Sequence, residues 1–284
     1  MAANSNFGDL PAQYATAEKA KIVIVPVPYD GTSTWIKGAD RGPGAIIAAS
    51  ANMELYDIET ACEVYKTGIF TDEPVTEAGS PEDMVSAVRE RTDLHLKGGK
   101  FVVLLGGEHS VSIGSIRAHA ERYEDLTVLQ LDAHADLRAA YNGSKFNHAC
   151  VMARAREVAP IVQVGIRSMD SSERQFIDDD RIFFAKDIHD NRDWFCSAIS
   201  KLTEKVYITI DLDVFDPSIM PSTGTPEPGG ISWYDCLALL KNVAAQRDIV
   251  GFDVVELCPA EYNKAPDFLA AKLVYKLLSY KFGA

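Results

Sequence analysis

Residues 126–138 read LTVLQLDAHADLR and contain the two kinds of segment on which the fold prediction rests. The first part, Leu126–Leu131, is short and mostly apolar, which is typical of a parallel strand that is covered on both faces. The second part carries Asp132, His134 and Asp136 at alternate positions. In open parallel sheets, ligands bind outside the carboxyl ends of the strands. This stretch therefore predicts a strand that brings polar side chains to a ligand site.

Similar short apolar runs recur along the chain and alternate with amphipathic stretches. The other strand candidates are residues 22–26, 101–105, 161–165, 182–185, 206–210 and 249–255. Helices are predicted at residues 83–97, 232–246 and 267–280. This alternation predicts an α/β fold with three αβα layers around a mainly parallel central sheet. No linker or repeat interrupts the pattern, so we expect one domain over residues 1–284.

The composition limits the classes of partner. The chain has 28 basic and 41 acidic residues, which gives a net charge of −13 and an isoelectric point near 4.9. This balance argues against nucleic acid or an anionic membrane as the main partner, and it suits a small cation or a metal. No apolar run approaches the roughly 18 residues of a membrane span, and the start lacks a signal-peptide profile. With five cysteines and no CxxC pair, we expect a cytoplasmic protein with buried, reduced thiols.

Polar residues follow three further strand candidates. They are His109 in VVLLGGEHS, Asp211 and Asp213 in VYITIDLDVFD, and Glu256 in GFDVVELCP. Alternate residues of an extended chain face the same way, so each group of acids is expected to point into one crevice. Carboxylates together with imidazoles form the ligand type of Mn²⁺, Fe²⁺ or Zn²⁺. The pattern predicts a metal site at the carboxyl edge of the sheet.

The number of acids in these motifs favours two metal ions over none. Four aspartates about 5 Å apart form six repulsive pairs of roughly 3 kcal/mol each, or about 20 kcal/mol in total. The motifs contain no Lys or Arg to offset that repulsion. A single DxD after a strand is more often a loop cap, but DxHxD is harder to explain that way. Either several acids stay protonated or two divalent cations lie among them, as in paired-metal hydrolases.

With these motifs in place, the sequence resembles the ureohydrolase family, which includes arginases, agmatinases and formiminoglutamases. The likeness is carried by GGEHS (106–110), LDAHADLR (131–138), ITIDLDVFDPS (208–218) and DVVELCP (253–259). Weaker likeness extends to PVPYDGTSTWIKGADRGPGAI (26–46) and STGTPEPGG (222–230). The resemblance covers nearly the whole chain and implies an arginase-like fold that assembles as a homotrimer or homohexamer.

The resemblance also implies two Mn²⁺ ions per chain and a role for each site residue. His109 and Asp136 would bind one ion, His134 and Asp213 the other, and Asp132 and Asp211 would bridge the pair. Glu256 would bind the substrate guanidinium through paired hydrogen bonds. His148 would shuttle protons, and Asp136 would pass a proton to the departing amine. The implied reaction is hydrolysis of a guanidinium group by a water molecule that the metals activate.

The likeness to agmatinases is stronger than the likeness to arginases. Ser168 in GIRS stands where arginases tend to carry Asp, whereas Asp170 matches their amino-group acid. Thr225 resembles a supporting residue that lines the site. The 137–149 loop, LRAAYNGSKFNHA, carries Arg138 and Lys145 near the positions where arginases bind a substrate carboxylate. Ala149 replaces the glycine usual in both groups.

The expected activity is hydrolysis of agmatine to putrescine and urea, a step of polyamine biosynthesis. The alternative within this class is hydrolysis of another guanidino or formimino compound, namely arginine, guanidinobutyrate or formiminoglutamate. A metal-dependent deacylase on the same fold would bind one zinc and use a His–His pair, which this sequence lacks. A metal-binding homologue without activity is the third alternative.

Overall fold

The computed structural model describes residues 6–77, 79–191 and 194–283, and within them eight parallel strands form one sheet. The strands are β1 (Ile22–Val27), β2 (Ile69–Thr71), β3 (Phe101–Gly106), β4 (Leu126–Leu131), β5 (Ile161–Ile166), β6 (Ile182–Phe184), β7 (Lys205–Asp211) and β8 (Asp248–Val255). Their order across the sheet is β2-β1-β3-β8-β7-β4-β5-β6. Every pairing is parallel, as the apolar strand pattern predicts.

Helices cover both faces of this sheet. They are α1 (Gly42–Ser50), α2 (Pro81–Lys97), α3 (Ser112–Arg122), α4 (Val151–Ala155), α5 (Ala185–Asp190), α6 (Trp194–Ser200), α7 (Trp233–Gln246) and α8 (Ala265–Phe282). Short 3₁₀ helices lie at Phe7–Asp9, Ala12–Tyr14, Ala39–Arg41, Val64–Thr67, His109–Val111, His148–Cys150, Ser171–Phe176 and Leu212–Val214. Helix α8 packs against α1 and α7, whereas α3 packs against α2 and α4. The predicted three-layer αβα architecture is therefore confirmed.

The core lies on both sides of the sheet because successive side chains of a strand point to opposite faces. In β7, Ile208 belongs to the apolar cluster that contains α1, α7 and α8, and its neighbour Tyr207 belongs to the cluster of α3 and α4. Both side chains are fully buried. Full burial of an apolar side chain such as Ile208 contributes about 1.5–3 kcal/mol, so packing in the two clusters stabilises the three layers.

The predicted strands and helices lie where the sequence places them, with shifts of a few residues at their ends. Helix α2 begins two residues before the predicted start because Asp83 is the third residue of a capping box that Ser80 opens. Ser232 caps α7 in the same way, and Pro266 lies in the first turn of α8. Strand β2 and helices α1, α3, α4, α5 and α6 are absent from the prediction. Strand β2 has three residues and α4, α5 and α6 have five to seven, whereas α1 and α3 contain glycine, which is a poor helix former.

The thiol prediction is only partly correct. No cysteine forms a disulfide in the part of the chain that the structure describes. Cys150, Cys236 and Cys258 are buried, but Cys62 is partly exposed and Cys196 is exposed on α6. The expectation of buried thiols is therefore wrong for these two residues. A search of the described residues finds no helix both long and apolar enough to cross a membrane.

Candidate metal centre and active site

The predicted polar clusters meet at one edge of the sheet because β3, β8, β7 and β4 are neighbours and run in the same direction. A cavity of about 290 Å³ opens at their carboxyl ends. All but one of the predicted site residues line it: His109, His134, Asp136, His148, Asp170, Asp211, Asp213, Thr225 and Glu256. The exception, Asp132, is fully buried beside His109. The structure thus brings together residues that lie up to about 150 positions apart in the sequence.

Two groups of side chains in this cavity could each hold a metal ion. One group is His109, Asp132 and Asp211, and the other is Asp132, His134 and Asp213. Within each group, the potential ligand atoms all lie within 4.8 Å of one another. Asp132 belongs to both groups, which is the position that a bridging carboxylate requires. The clusters therefore suit a pair of ions that share a ligand.

The His109 ring tests whether these residues fit a metal. Its Nε2 lies 2.9 Å from Thr209 Oγ1, and the Thr209 hydroxyl donates to Asp253 Oδ1 at 2.6 Å. The threonine oxygen can then accept only from an Nε2–H, which leaves the lone pair on Nδ1. Among the described residues, Nδ1 is buried without a hydrogen-bond partner. A histidine oriented by its second nitrogen is the usual arrangement around a protein-bound metal.

Carboxylate oxygens surround that unpartnered nitrogen. His109 Nδ1 lies 3.1 Å from Asp136 Oδ2, 3.2 Å from Asp132 Oδ2 and 3.4 Å from Asp211 Oδ2. On the other side, His134 Nδ1 lies 2.9 Å from Asp213 Oδ2. A lone pair that faces three oxygens is favourable only if a cation or a proton lies between them. The donor set of carboxylates and imidazoles therefore fits two divalent ions.

The titration of these groups reflects their crowding. Burial, followed by the charges of Asp213 and Asp132, raises the pKa of Asp211 well above its usual range. Burial and the charge of Asp132 raise the pKa of Asp136 to about 7. Burial opposes a charged His134 ring, but Asp213 and Asp132 outweigh it and raise its pKa to about 12. Without metal, protons have to compensate the clustered negative charge, as the repulsion estimate predicts.

Turns after the strands bring the acids together. The expectation that they point into one crevice because they alternate along an extended chain is therefore wrong. Strand β4 ends at Leu131, and Asp136 adopts a left-handed backbone with φ of +53°. Asp211 caps the turn after β7, where its Oδ1 accepts the Asp213 N–H at 2.9 Å. Likewise, Asp132 Oδ1 accepts the His134 N–H at 2.6 Å. Asp213 Oδ1 also accepts the Ala133 N–H at 3.0 Å, so a carboxylate of the turn after β7 binds the turn after β4 and brings the acids together.

Glu256 has the second strained backbone of the site, with φ of +68°. Its Oε1 accepts the backbone N–H of His109 at 2.7 Å, which ties the end of β8 to the end of β3. Burial and the charge of Glu108 raise the pKa of Glu256 well above its usual range. Left-handed non-glycine residues such as Asp136 and Glu256 are often found at functional sites. One oxygen of Glu256 is thus partly engaged before any substrate binds.

Two buried glutamines behind the site are absent from the sequence prediction. Gln130 Nε2 donates to Asp132 Oδ2 at 2.7 Å, and Gln163 Nε2 donates to Gln130 Oε1 at 2.6 Å and to Ala135 O at 2.8 Å. The two residues pair across β4 and β5. An amide in the middle of each apolar run, VLQL and IVQV, is the signal that could have identified them. Gln163 thus fixes the Gln130 amide, and Gln130 orients the Asp132 carboxylate.

A cation also lies beside the cluster, although none occurs in the motifs themselves. Arg167 follows β5, and its Nη2 donates to the backbone oxygens of Asp213 at 2.6 Å and Glu227 at 2.8 Å. Burial lowers its pKa. The fold thus supplies, from outside the motifs, a positive charge that the motifs themselves lack. The sequence could not show this, because Arg167 reaches the site from a strand on the far side of β4.

The outer part of the cavity has a different character. We call its entrance the rim, formed by Trp35, Ile36, Arg138, Tyr141, Met169 and Asp170. The Arg138 guanidinium stacks 4.6 Å from the centre of the Tyr141 ring, and its Nη2 lies 3.6 Å from Asp170 Oδ2. Asp170 Oδ1 accepts from Ser172 N–H and Oγ, so this acid also caps a 3₁₀ helix. Lys145 is exposed and Thr225 lines the cavity.

His148 lies between the deep part of the cavity and its rim. Burial, followed by the charges of His109 and His134, lowers the pKa of its ring to about 4. Asn147 caps the turn that begins at His148, and its Oδ1 accepts the Ala149 N–H at 3.1 Å. Ala149 is outside the left-handed region, so the replacement of glycine there causes no backbone strain.

Comparison with known proteins gives matches that cover most of the chain. The model of the Arginase family matches residues 20–279. An N(1)-aminopropylagmatine ureohydrolase from Synechocystis sp. is 37% identical over 99% of this chain and 97% of its own length. An enzyme of the same name from Thermus thermophilus is 39% identical over 97% of this chain and 94% of its length. The agmatine ureohydrolase structure from Thermoplasma volcanium has a TM-score of 0.88 at 30% identity, and the match covers 99% of this chain and 95% of that one.

Proposed function

Since the chain belongs to the arginase family and is a metal-dependent amidinohydrolase, we propose that it hydrolyses the guanidinium group of agmatine to putrescine and urea. Two carboxylate–imidazole clusters that share Asp132, next to Glu256 in one cavity, support this function most directly. Agmatine has a guanidinium at one end and an ammonium at the other, with no carboxylate. Both charges suit a cavity lined mainly by acids.

We propose manganese as the metal of both clusters, two ions per chain. His109, Asp136, His134 and Asp213 would be terminal ligands, with Asp132 and Asp211 between the ions. Oxygen-rich sites that include imidazole suit Mn²⁺ better than sites with thiolates do. When bound, such ions lower the pKa of water and stabilise negative charge that develops on the substrate.

The protein groups would bind the substrate and move its protons. Glu256 would accept N–H bonds from the guanidinium, and the cationic substrate would favour the ionised carboxylate despite its burial. Asp136 would hold the proton that the departing amine needs. Burial lowers the pKa of His148 to about 4, so its ring is neutral at pH 7 and would hold a transferred proton only briefly before passing it on.

A longer agmatine derivative is a second candidate substrate. The Synechocystis and Thermus relatives are named for N(1)-aminopropylagmatine, which extends the amine end of agmatine. The cavity opens at the rim beside exposed Trp35, where a longer amine chain could leave the site. We therefore extend the proposed substrate class to guanidinobutyl amines with a cationic tail. The proposal also includes a cytoplasmic location, a role in polyamine biosynthesis and a homotrimeric or homohexameric assembly.

A substrate panel tests this proposal. We would load the protein with Mn²⁺ and measure urea from agmatine, N(1)-aminopropylagmatine, arginine and guanidinobutyrate, and formamide from formiminoglutamate. The kcat/KM of the two amine-tailed compounds should exceed that of the carboxylates by at least about tenfold, because one favourable charge contact in a partly buried site gives about 1.4 kcal/mol or more. Higher activity on arginine than on both amines would overturn the proposal. Metal analysis of the purified protein, before any metal is added, should give manganese at up to two ions per chain, whereas one zinc per chain would contradict the proposal.

A further inference from the structure

Thr32, in the segment YDGTS, makes the closest contacts to His148. The backbone N–H of His148 donates to Thr32 Oγ1 at 3.0 Å, and the ring Nδ1 lies 3.1 Å from the same oxygen. Thr32 is 9% exposed, so water competes little for its hydroxyl. One side chain thus holds both the backbone and the ring of His148, although the two residues are 116 positions apart.

Thr32 is itself held by the loop that carries His109. Its backbone N–H points to Glu108 Oε1 at 3.3 Å. Glu108 is fully buried and accepts from Ser110 N–H and Ser110 Oγ, each at 2.8 Å. The Glu108 N–H in turn donates to Tyr29 O at 2.8 Å. These bonds fix the position of Thr32 relative to the metal-binding loop.

The two loops are also in close steric contact. A Cβ on Gly107 would lie 1.9 Å from Tyr29 O, so only glycine fits at this position. On the other side of the His148 ring, the Tyr141 ring makes an edge contact at 5.9 Å with an interplanar angle of 85°. The imidazole therefore lies between a hydroxyl and an aromatic ring, and the hydroxyl is anchored to the loop of a candidate metal ligand.

We propose that Thr32 is a positioning residue for His148. Its oxygen accepts a hydrogen bond from Nδ1–H, which leaves the lone pair of Nε2 directed into the cavity, where it takes up a proton and passes it on. Misplacement of a reacting group by about 1 Å can cost a hundredfold in rate, so one hydrogen bond at this position would affect turnover strongly. This inference rests on the proposed function, in which His148 moves protons.

The test compares Thr32→Val, Thr32→Ala and Thr32→Ser in the manganese-loaded enzyme. Val and Ala lack the hydroxyl, and kcat for agmatine should fall about tenfold to hundredfold, with KM within about twofold and two metal ions retained. Ser keeps the hydroxyl and should restore kcat to within about threefold of the wild type. Thr67→Val is the matched control and should leave kcat unchanged, because this partly exposed threonine precedes β2 and lies at the edge of the sheet opposite the cavity.

The same substitutions in a His148→Ala background show whether Thr32 acts through the ring. We expect Thr32→Val or Thr32→Ala to cause no further loss there, because the group that Thr32 positions is gone. An equal loss in both backgrounds, a rise in KM alone, or failure of Ser to restore kcat would overturn the inference. Should Thr32→Val unfold, as seen in a thermal melt, Thr32→Ala and Thr32→Ser still decide it. A wild-type enzyme without activity on any guanidine would overturn the proposed function and this inference together, whereas an active wild type isolates Thr32.

Discussion

The floor and the rim of the cavity differ in burial and in the way their charges are balanced. The floor consists of His109, Asp132, His134, Asp136, Asp211, Asp213 and Glu256. His109 is 1% exposed and Asp132 is fully buried, whereas Trp35 on the rim is 70% exposed and Met169 is 40% exposed. Four of the floor carboxylates accept backbone N–H groups near the strand ends, namely those of Asp132, Asp211, Asp213 and Glu256. On the rim, Arg138 Nη2 lies 3.6 Å from Asp170 Oδ2, and both side chains are partly exposed to solvent.

This difference indicates what each region can contribute. Buried acids interact strongly because water screens them little, so the floor can bind divalent ions and polarise a substrate. Exposed ion pairs contribute about 0–1 kcal/mol, so the rim can only tune which tail is preferred. We therefore expect large effects on chemistry from substitutions in the floor and small effects on substrate choice from substitutions in the rim.

His134→Ala should have the largest effect. The substitution removes a ligand of one cluster and leaves Asp213 without its imidazole partner at 2.9 Å. Metal content should fall, and turnover should drop by at least about a thousandfold, since bound metals supply several kcal/mol of transition-state stabilisation. Mass spectrometry of metals, urea assays and circular dichroism would measure this. His95→Ala, which removes a histidine outside the cavity, is the control. Full activity of His134→Ala would show that the floor residues take no part in the reaction.

His148→Ala should have the next largest effect and should separate proton transfer from metal binding. His148 belongs to neither ligand cluster, so both ions should be retained. Loss of a general acid or base lowers kcat by about a hundredfold to ten-thousandfold. Metal analysis together with kcat for agmatine would show both properties. An unchanged rate would exclude His148 from the mechanism. Loss of metal would show that His148 contributes to metal binding, as the floor residues do.

Thermal melts with and without metal test the charge balance of the floor. In chelated protein, the folded Asp136 keeps its proton up to a pKa of about 7, whereas the unfolded chain releases it near 3.8. Stability from this group therefore falls between about pH 4 and pH 7. His134, with its raised pKa of about 12, contributes stability that is complete below pH 6.5 and is lost above it, so both effects have the same sign.

Below about pH 6.5, His148 and His119 oppose this trend, because their pKa values of about 4 make stability rise with pH there. From pH 6.5 to pH 8.5 we expect the Tm of chelated protein to fall by a few degrees, at roughly 2–4 °C for each kcal/mol. The gap between manganese-loaded and chelated protein should widen over the same range, because metal binding requires deprotonated ligands. Calorimetry in EDTA and in Mn²⁺ would measure both. Asp136→Asn should remove the fall in stability that Asp136 causes below pH 7, so its Tm should drop less with pH than that of the wild type. A Tm that rises between pH 6.5 and pH 8.5 in EDTA would contradict this account.

The same division explains what the sequence could predict. The strands that lead to the floor are continuous apolar runs, and polar residues follow each one directly, so the parallel sheet and its ligand-bearing edge were both predictable. The turn geometry of Asp136 and Glu256 was not, because a left-handed backbone at a non-glycine residue leaves no local signature. Contacts between distant segments, such as Arg167 with Asp213, depend on the strand order that only the fold supplies.

The rim was the least predictable part of the cavity. Arg138 appeared in the sequence as a residue that could receive a substrate carboxylate. In the structure it stacks on Tyr141 and lies 3.6 Å from Asp170 and 4.0 Å from Glu173, so protein acids already surround the guanidinium. Side chains on separate loops set this pairing, and their spacing in sequence does not show which of them meet.

Arg138→Gln should have the smallest effect and should change substrate preference alone. Removal of the cation leaves Asp170 and Glu173 unopposed, so KM for agmatine should fall by about two- to fivefold, within the 0–1 kcal/mol of an exposed ion pair. KM for guanidinobutyrate should rise, while kcat for both compounds and the metal content stay unchanged because no floor residue is altered. Steady-state kinetics on this pair of substrates, which differ only in the charge of the tail, would measure it.

Arg174→Gln is the matched control for that substitution. Arg174 lies on the 3₁₀ helix that Asp170 caps, and it pairs with Asp179 at 2.8 Å. Arg174→Gln changes the net charge by the same amount as Arg138→Gln and leaves the rim residues in place. Equal shifts in both variants would mean that net charge, and not the rim, sets KM. A fall in KM for guanidinobutyrate in Arg138→Gln would mean that Arg138 disfavours a carboxylate tail, which is the opposite of the expected effect. If Arg138→Gln lowered kcat as much as His148→Ala does, the guanidinium would act in the reaction itself, and the separation of floor from rim would be wrong.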